Sequence, residues 1–508
     1  MGGPLVTGRL RVDELGRRDS WEGVRVVVAG FGVSGSAAAD NLLFLGADVV
    51  ALDESATLSS DRVEKAELLR VLGAEIRLGP GQTKTLPDEV DLVVTSPGWR
   101  PSAPLLAQAA ARSIPVWGEV ELAWRLRDPE NAAPWLAVTG TNGKTSTVQM
   151  LESILQSAGL RAAAVGNVGL PLIEAVMDPT PYDVLAVELS SFQLHYTALM
   201  AAESAAVLNV AEDHLDWYAE LSDDPMRAYA DDKGRIYQGV QRACIYNVED
   251  PETERLVREA EVQEGARAIG ITLGTPGVGM LGVVDDILVD RAFIRDRATS
   301  AAELCTIRDL ASPAPHFVAN ALAAAALARS HGVPALAVRA GLRSFAPDGH
   351  RIAEVAEVDA VRWVDDSKAT NPHAAAASLR AYEPVVWIAG GLAKGARFDE
   401  LVTSSRDRLR GVVLLGRDRG VIADALARHA PDVPVIEVEG GETRSEDRTN
   451  ESGSTPDNVM DRVVAAAASL AQAGDTVLLA PGCASMDLFV DYADRGDAFT
   501  AAVRKRRG

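Results

Sequence analysis

The chain has 508 residues with 72 acidic against 50 basic side chains, a formal charge of −22. Binding a polyanion requires basic stripes that release counterions, so nucleic acid is excluded as a ligand class, although local Lys, Arg and helix N-termini can still hold a small anion. At this length about three domains are expected, and with 47% apolar but only 5% aromatic residues their cores must be built of Ala, Val and Leu.

Met1 to Glu22 is polar and charged without an apolar centre and does not read as a signal peptide. Beyond it, apolar runs alternate with helical patterns: Val24 to Ala29, Gly35 to Gly46, Val49 to Leu52, then Val90 to Thr95. This alternation predicts a parallel sheet covered on both faces. Gly30-Phe31-Gly32-Val33-Ser34-Gly35 follows the first strand and opens a helix, with Asp53 ending the next strand, which is the spacing of a dinucleotide fingerprint. Alone, such a fingerprint reports a diphosphate at a helix N-terminus or tight βα packing without a ligand, and UDP fits it as well as NAD. An NAD-binding Rossmann protein is one reading of this segment.

A second segment begins near Trp117-Gly118-Glu119. Its apolar run Trp135 to Thr139 feeds Gly140-Thr141-Asn142-Gly143-Lys144-Thr145-Ser146. The general Gly-x4-Gly-Lys-Thr loop would need glycine at Val138, so this is a narrower, compact form. Its backbone N–H groups point at phosphate oxygens, Lys144 reaches the outer phosphates and the Thr145 hydroxyl sits on Mg²⁺, so ATP is the expected ligand. Further strands are expected at Ala162 to Val165, Val184 to Glu188 and Ala205 to Val210, and a helix over Phe317 to Ala328.

Two polar islands sit at strand ends in this segment. In Glu188-Leu189-Ser190-Ser191, the carboxylate suits Mg²⁺ directly or at one remove, and Ser190 or Ser191 suits a helix N-cap. In Asn209 to Asp216, His214 stands among three carboxylates that can bind a hard cation. Lys233, in Asp232-Lys233-Gly234-Arg235, reads from its neighbours as a surface lysine.

A boundary is expected at Asp348-Gly349, followed by strands at Arg362 to Val364, Pro384 to Ala389, Gly411 to Leu415, Val433 to Val438 and Thr476 to Leu479. Gly440 to Asn458 lacks apolar periodicity and reads as a catalytically silent surface insertion. Polar islands recur at His350-Arg351, Asp365-Asp366-Ser367-Lys368-Ala369-Thr370-Asn371 and Cys483-Ala484-Ser485-Met486-Asp487, with Tyr492 and Arg495 behind the last. The three cysteines, Cys244, Cys305 and Cys483, have neither disulfide nor zinc spacing, so a reducing compartment is expected. The run Ala319 to Ala328 is too short to span a bilayer.

From Val26 to about Val503 these motifs, in this order, resemble the Mur ligase family, ATP-dependent amide-forming enzymes of peptidoglycan synthesis, with folate-adding relatives. The resemblance implies a three-domain α/β fold: a Rossmann-like UDP-substrate domain over 1–121, a P-loop-like ATP-binding domain over 122–347 and a Rossmann-like amino-acid-binding domain over 348–508. It implies catalytic roles for Lys144, Glu188, His214 and Lys233. Two Mg²⁺ ions would be held by Thr145, Glu188, His214 and Lys233, the lysine being N6-carboxylated so that a cation becomes a carboxylate equivalent.

Beyond the phosphate loop, the resemblance places ATP against His316, Asn320, Arg351 and Asp366. It assigns the UDP-substrate to Gly32, Val33, Ser34, Asp53, Ser96-Pro97-Gly98, Asn167 and Ser190, and the incoming amino acid to Lys368, Thr370, Lys394, Ser485, Met486 and Tyr492. The islands at Glu188, Asp366 and Cys483 resemble the branch that adds D-glutamate to UDP-N-acetylmuramoyl-L-alanine through an acyl phosphate. A cytoplasmic monomer with small-molecule substrates, and without nucleic-acid or membrane partners, is expected. Two departures stand out: Phe317 lies where some relatives have a polar residue near adenine, and no arginine follows Asp53. Another Mur-type or folylpolyglutamate-type ligase is the alternative, against which the fingerprint domain at Gly30 to Gly35 argues.

Overall fold

The apolar runs that open each βα unit lack polar alternation because their strands are covered on both faces. The computed structural model describes residues 12–55, 60–128, 130–347, 349–439 and 456–507. They form three sheets in two compact units, one reaching Val210 and resuming over Arg227–Phe345, the other comprising Ala211–Met226 and the chain from Ala346 onward.

The first sheet holds β1 (Arg25–Ala29), β2 (Asp48–Asp53), β3 (Glu75–Leu78), β4 (Leu92–Thr95) and β5 (Val116–Gly118), all parallel in the order β3-β2-β1-β4-β5. The order reverses between β1 and β4, so a ligand crevice opens beyond their carboxyl ends. Helices α1 (Val33–Phe44), α2 (Ser60–Val71) and α3 (Pro104–Ala111) connect the strands, and α4 (Glu119–Arg125) leads to the second sheet. Helix α1 starts two residues before the expected Gly35, because the turn closes at Gly30, φ +95°, and a Cβ on Gly35 would collide with the Gly30 carbonyl.

The second sheet is built on β6 (Trp135–Thr139), which is followed by α5 (Lys144–Ser157), β7 (Ala162–Gly166), α6 (Leu172–Met177), β8 (Val184–Glu188), α7 (Ser191–His195) and β9 (Ser204–Val207). After α8 (Leu215–Tyr218) and α9 (Pro225–Gly234) it continues through β10 (Ala243–Asn247), α10 (Pro251–Arg258), β11 (Arg267–Ile271), β12 (Met280–Val284), β13 (Ile287–Asp290) and β14 (Ala302–Thr306). The order is β14-β13-β12-β11-β10-β9-β6-β8-β7, with β12 to β14 an antiparallel meander. The sequence reading found β6 to β9 but not β10 to β14. It also ran the strand at Ala205 on to Val210, whereas β9 ends at Val207 and the chain from Ala211 joins the other unit.

Helices α11 (Pro315–His331) and α12 (Ala335–Ser344) complete this unit. The Ala-rich face of α11 is fully buried from Ala321 to Ala328, and the helix ends at Gly332 with φ +99°. Among the described residues no helix is long and apolar enough to cross a membrane.

The third sheet has the order β15-β16-β20-β17-β18-β19, from β15 (Ala353–Val358), β16 (Val361–Asp365), β17 (Val385–Gly390), β18 (Leu409–Leu415), β19 (Val435–Glu437) and β20 (Thr476–Leu479). Only β15 runs antiparallel, as a hairpin with β16. The helices α13 (Pro372–Leu379), α14 (Asp399–Ser405), α15 (Arg419–His429), α16 (Pro456–Leu470) and α17 (Tyr492–Arg507) flank it. Of the expected surface insertion, residues 440–455 lie outside the described residues and 456–458 open α16; Asp348 of the expected boundary also lies outside them.

Candidate active site

The phosphate loop is the turn between β6 and α5. Gly143 takes φ +85° at the N-cap of α5, and a Cβ there would collide with Asn320 Oδ1 on α11. The loop is braced by Asn209, whose Oδ1 accepts from Asn142 N (2.8 Å), whose Nδ2 donates to Asn142 O (3.0 Å) and whose carbonyl accepts from Thr141 N (3.0 Å). Lys144 Nζ folds back to donate to the carbonyls of Gly140 (2.9 Å) and Thr141 (3.0 Å). The lysine thus lies along the loop at the N-terminal end of its helix, whose first N–H groups have no helical carbonyl one turn back to meet. Thr145 and Ser146 open the helix, with Ser146 buried.

Glu188 ends β8 in register with Val138 of β6, so its carboxylate emerges beside the loop. The side chain is 1% exposed. Asn167 Nδ2 donates to Glu188 Oε1 at 2.8 Å, Asn167 N donates to its carbonyl at 3.0 Å, and Glu188 Oε2 is buried without a hydrogen-bond partner among the described residues. A buried carboxylate oxygen left open in this way is costly unless a cation meets it. The donor chemistry beside a phosphate loop fits a hard divalent ion such as Mg²⁺. Ser190 forms a capping box with Gln193 at the start of α7, so its local role is structural.

Lys233 is not on the surface. Its side chain is 1% exposed, lies over the Tyr229 ring at 4.4 Å and donates from Nζ to Gly140 O at 3.0 Å. Tyr229, one turn earlier on α9, shares a 3.0 Å hydrogen bond with the Thr141 hydroxyl. Lys144, Lys233, Glu188, Asn167 and Asn320 are therefore gathered around one turn of chain. His316, one helical turn before Asn320, is exposed, and Phe317 is buried 6.1 Å from Phe345, which explains an apolar residue at that position.

In the first sheet, the N-terminus of α1 offers the backbone of Val33 and Ser34 with Gly32 as an uncapped N-cap. Asp53 receives Phe31 N on Oδ2 (2.6 Å) and Ser55 N on Oδ1 (2.8 Å), and so fastens the fingerprint turn to β2. Ser96 Oγ donates to Gly30 O at 3.2 Å, and Pro97 and Gly98 (φ +88°) carry the chain over the crevice to Trp99. Glu54, unread in the sequence, accepts from the Thr83 hydroxyl and from the backbone N–H groups of Gly81 and Thr83, which hold its carboxyl below the usual range and fix the neighbouring loop.

In the second unit, His214 takes φ +57° before α8, with Nε2 3.5 Å from Asp213 Oδ2, and Glu212 of the same segment pairs with Arg397 at 2.7 Å. His350 Nδ1 lies 2.6 Å from Asp365 Oδ2, in the space left by Gly496, whose Cβ would collide with it. Arg351 follows. Asp366 is buried; burial pushes its carboxyl up to about 6, while the hydrogen bond from Ser378 Oγ and the charge of Arg351 oppose the rise. Lys368 Nζ lies 3.6 Å from the Tyr492 ring centroid, and Thr370 N donates to Lys368 O at 2.8 Å.

Arg495 ties these loops together. Its guanidinium, 1% exposed, donates to Ser367 Oγ (2.9 Å), Ser367 O (2.8 Å) and Cys483 O (3.1 Å), and burial pulls it down to about 10. The fork thereby joins the Lys368 loop to the loop carrying buried Ser485 and exposed Met486. Lys394 takes φ +50° after β17, where Ala393 N donates to Asp418 Oδ2 at 2.8 Å.

Known proteins bear on this arrangement. The Mur ligase middle domain matches residues 138–328, and the Mur ligase glutamate ligase domain matches 350–483. The chain is 59% identical to the UDP-N-acetylmuramoylalanine–D-glutamate ligase of Streptomyces avermitilis, over 96% of this chain and 99% of that protein. It is 47% identical to the ligase of the same name from Mycolicibacterium smegmatis, over 96% and 97%. Among solved structures, UDP-N-acetylmuramate–alanine ligase of Thermotoga maritima shares the fold with a TM-score of 0.54 at 19% identity, covering 95% of this chain and 99% of that one. The chain therefore belongs to the UDP-N-acetylmuramoylalanine–D-glutamate ligase family of Mur ligases.

Proposed function

We propose that this chain joins the carboxylate of UDP-N-acetylmuramoyl-L-alanine to the amine of D-glutamate at the expense of ATP. The observation that carries the reading is the open Glu188 Oε2 beside a phosphate loop already equipped with Lys144. The names of the relatives support the choice of substrates.

A carboxylate acylates poorly because oxide is a poor leaving group. The substrate carboxylate attacks the γ-phosphorus, ADP departs, and the resulting acyl phosphate has a competent leaving group. The amine of D-glutamate then adds to the carbonyl carbon, and the tetrahedral intermediate expels phosphate and loses a proton to leave the amide. The protein's contribution is to position the reactants and neutralise charge. Lys144 exchanges its two carbonyl contacts for the outer phosphates, and Asn320 and His316 face the base. Arg351 and Asp366 serve the phosphates and ribose. Lys368, Thr370, Lys394, Ser485, Met486 and Tyr492 receive the amino acid; Gly32, Val33, Ser34, Asp53, Ser96-Pro97-Gly98, Asn167 and Ser190 receive the UDP-substrate.

Two Mg²⁺ ions, when bound, would neutralise the transferring phosphoryl group, and Thr145, Glu188, His214 and N6-carboxylated Lys233 are the residues that would hold them. Burial of Lys233 beneath the phosphate loop, with Nζ 3.0 Å from Gly140 O, supports a carboxylated lysine that faces the phosphates there. The functional parts are 1–121 for the UDP-substrate, 122–347 for ATP and 348–508 for the amino acid. A reducing cytoplasm suits three buried free thiols. Oxygen-18 placed in the substrate carboxylate tests the acyl phosphate: one label should appear in the released phosphate, and unlabelled phosphate would overturn it.

A further inference from the structure

We propose that His195 is a positioning residue, which through Asp232 fixes Lys233 beneath the phosphate loop. His195 ends α7, the short helix that starts directly after Glu188 on β8, and Asp232 immediately precedes Lys233 on α9. His195 Nδ1 lies 2.8 Å from Asp232 Oδ2, and because a carboxylate only accepts, the proton is on Nδ1. This bond, beside the one from Arg235 Nη2 to Thr197 O at 2.6 Å, braces the segment that carries Glu188 against the segment that carries Lys233.

The rest of α9 and α7 is built to make that brace count. Asp231, on the other side of the helix, is held by Arg255 Nη2 at 2.9 Å, and Tyr229 is held by Thr141. The helix is therefore fixed from two sides, and the bond to His195 sets the third. At the α7 end, the His195 ring meets Tyr196 edge-on at 4.9 Å, and Tyr196 OH donates to Trp99 O at 2.7 Å, so that His195 is itself anchored. With Asp232 released, α9 and the turn after it keep their contacts at Asp231, Tyr229 and Arg235 but can rock about them, and Lys233 Nζ shifts relative to Gly140 O. The inference rests on the metal-holding role assigned above to Glu188 and Lys233.

The test compares wild type, His195→Ala, His195→Asn, Asp232→Ala and the double variant His195→Ala/Asp232→Ala. Mn²⁺ affinity is measured by electron paramagnetic resonance in the presence of a non-hydrolysable ATP analogue, beside turnover and thermal midpoint. Groups that orient a metal ligand typically contribute about 10–100-fold to affinity or activity. His195→Ala and Asp232→Ala should each weaken Mn²⁺ by about that factor, the double variant should be no weaker than either, and His195→Asn should recover part of the loss. If His195→Ala fails to fold, Asp232→Ala carries the comparison. Wild-type Mn²⁺ affinity in the folded variants, with only the thermal midpoint lowered, or additive losses in the double variant, would overturn the proposal. The Mn²⁺ reading stands whether or not D-glutamate proves to be the acceptor.

Discussion

The Asn167 side chain donates one hydrogen bond to the Glu188 carboxylate, 2.8 Å from Nδ2 to Oε1, and it determines which carboxylate oxygen remains for a cation. Because Oε1 is engaged and Oε2 is buried and open, Glu188 presents one oxygen in a fixed direction. Glu188→Gln keeps the shape and the bond from Asn167 but removes the charge. Turnover should fall by about 100-fold or more, with the thermal midpoint nearly unchanged. Wild-type turnover at saturating Mg²⁺ would remove Glu188 from the metal site.

Gly143 tests the loop geometry. Alanine there meets both the φ of +85° and Asn320 Oδ1. Left-handed backbone costs a non-glycine residue about 1–2 kcal/mol, and relief of the collision must shift the loop or α11. Gly143→Ala should therefore lower stability by at least that amount and weaken ATP binding in calorimetry. Unchanged ATP affinity would show that the loop tolerates displacement and does not grip phosphate closely.

Glu119, at the start of α4, provides a pH prediction. Its carboxyl is buried and pushed up to about 7 by burial, opposed by the backbone N–H of Ile173, which donates to Oε1 at 2.7 Å. Between pH 4.5 and 7 the folded protein keeps a proton that the unfolded chain has released. Stability from this group is thus full below about pH 4.5 and is lost as pH rises through about 7. Glu119→Gln removes this slope, so variant minus wild-type stability should be greater at pH 8 than at pH 5 by roughly 1–3 kcal/mol in denaturant titrations. An equal difference at both pH values would contradict the buried, raised carboxyl.

Arg495 predicts a split between stability and substrate binding. Arg495→Lys cannot reproduce a fork that serves two oxygens of Ser367 and the Cys483 carbonyl. Two or more buried partners would be left open, so a loss of about 2–4 kcal/mol is expected. KM for the amino acid should rise more than KM for ATP, because the guanidinium joins the Lys368 loop to the Ser485 loop. Equal changes in both would assign Arg495 to general stability alone.

Much of this was legible where chemistry is local in sequence. The glycine turn into Lys144-Thr145 and the carboxylate at the end of an apolar strand each announce themselves within ten residues, and β6, β8 and β20 fell exactly where their apolar runs lie. What could not be read depends on distant partners. Lys233 looks like a surface lysine until Gly140, 93 residues away, closes over it. His195 and Asp232 are 37 residues apart with no local signal, and Arg495 stands in the sequence only behind the Cys483 island, with nothing there to show that it also grips Ser367. Strands β12 to β14 are short antiparallel pieces, the first two joined at Asp285 with φ +56°, and their weak periodicity resembles loop.

The most direct measurement is phosphate release from ATP and Mg²⁺ with UDP-N-acetylmuramoyl-L-alanine, in parallel with D-glutamate, L-glutamate, L-alanine, diaminopimelate and no amino acid, for wild type and Lys144→Ala. Turnover with D-glutamate alone, abolished in Lys144→Ala while the fold persists, is the expected result. Turnover that prefers another acceptor, or that survives in Lys144→Ala, would contradict it.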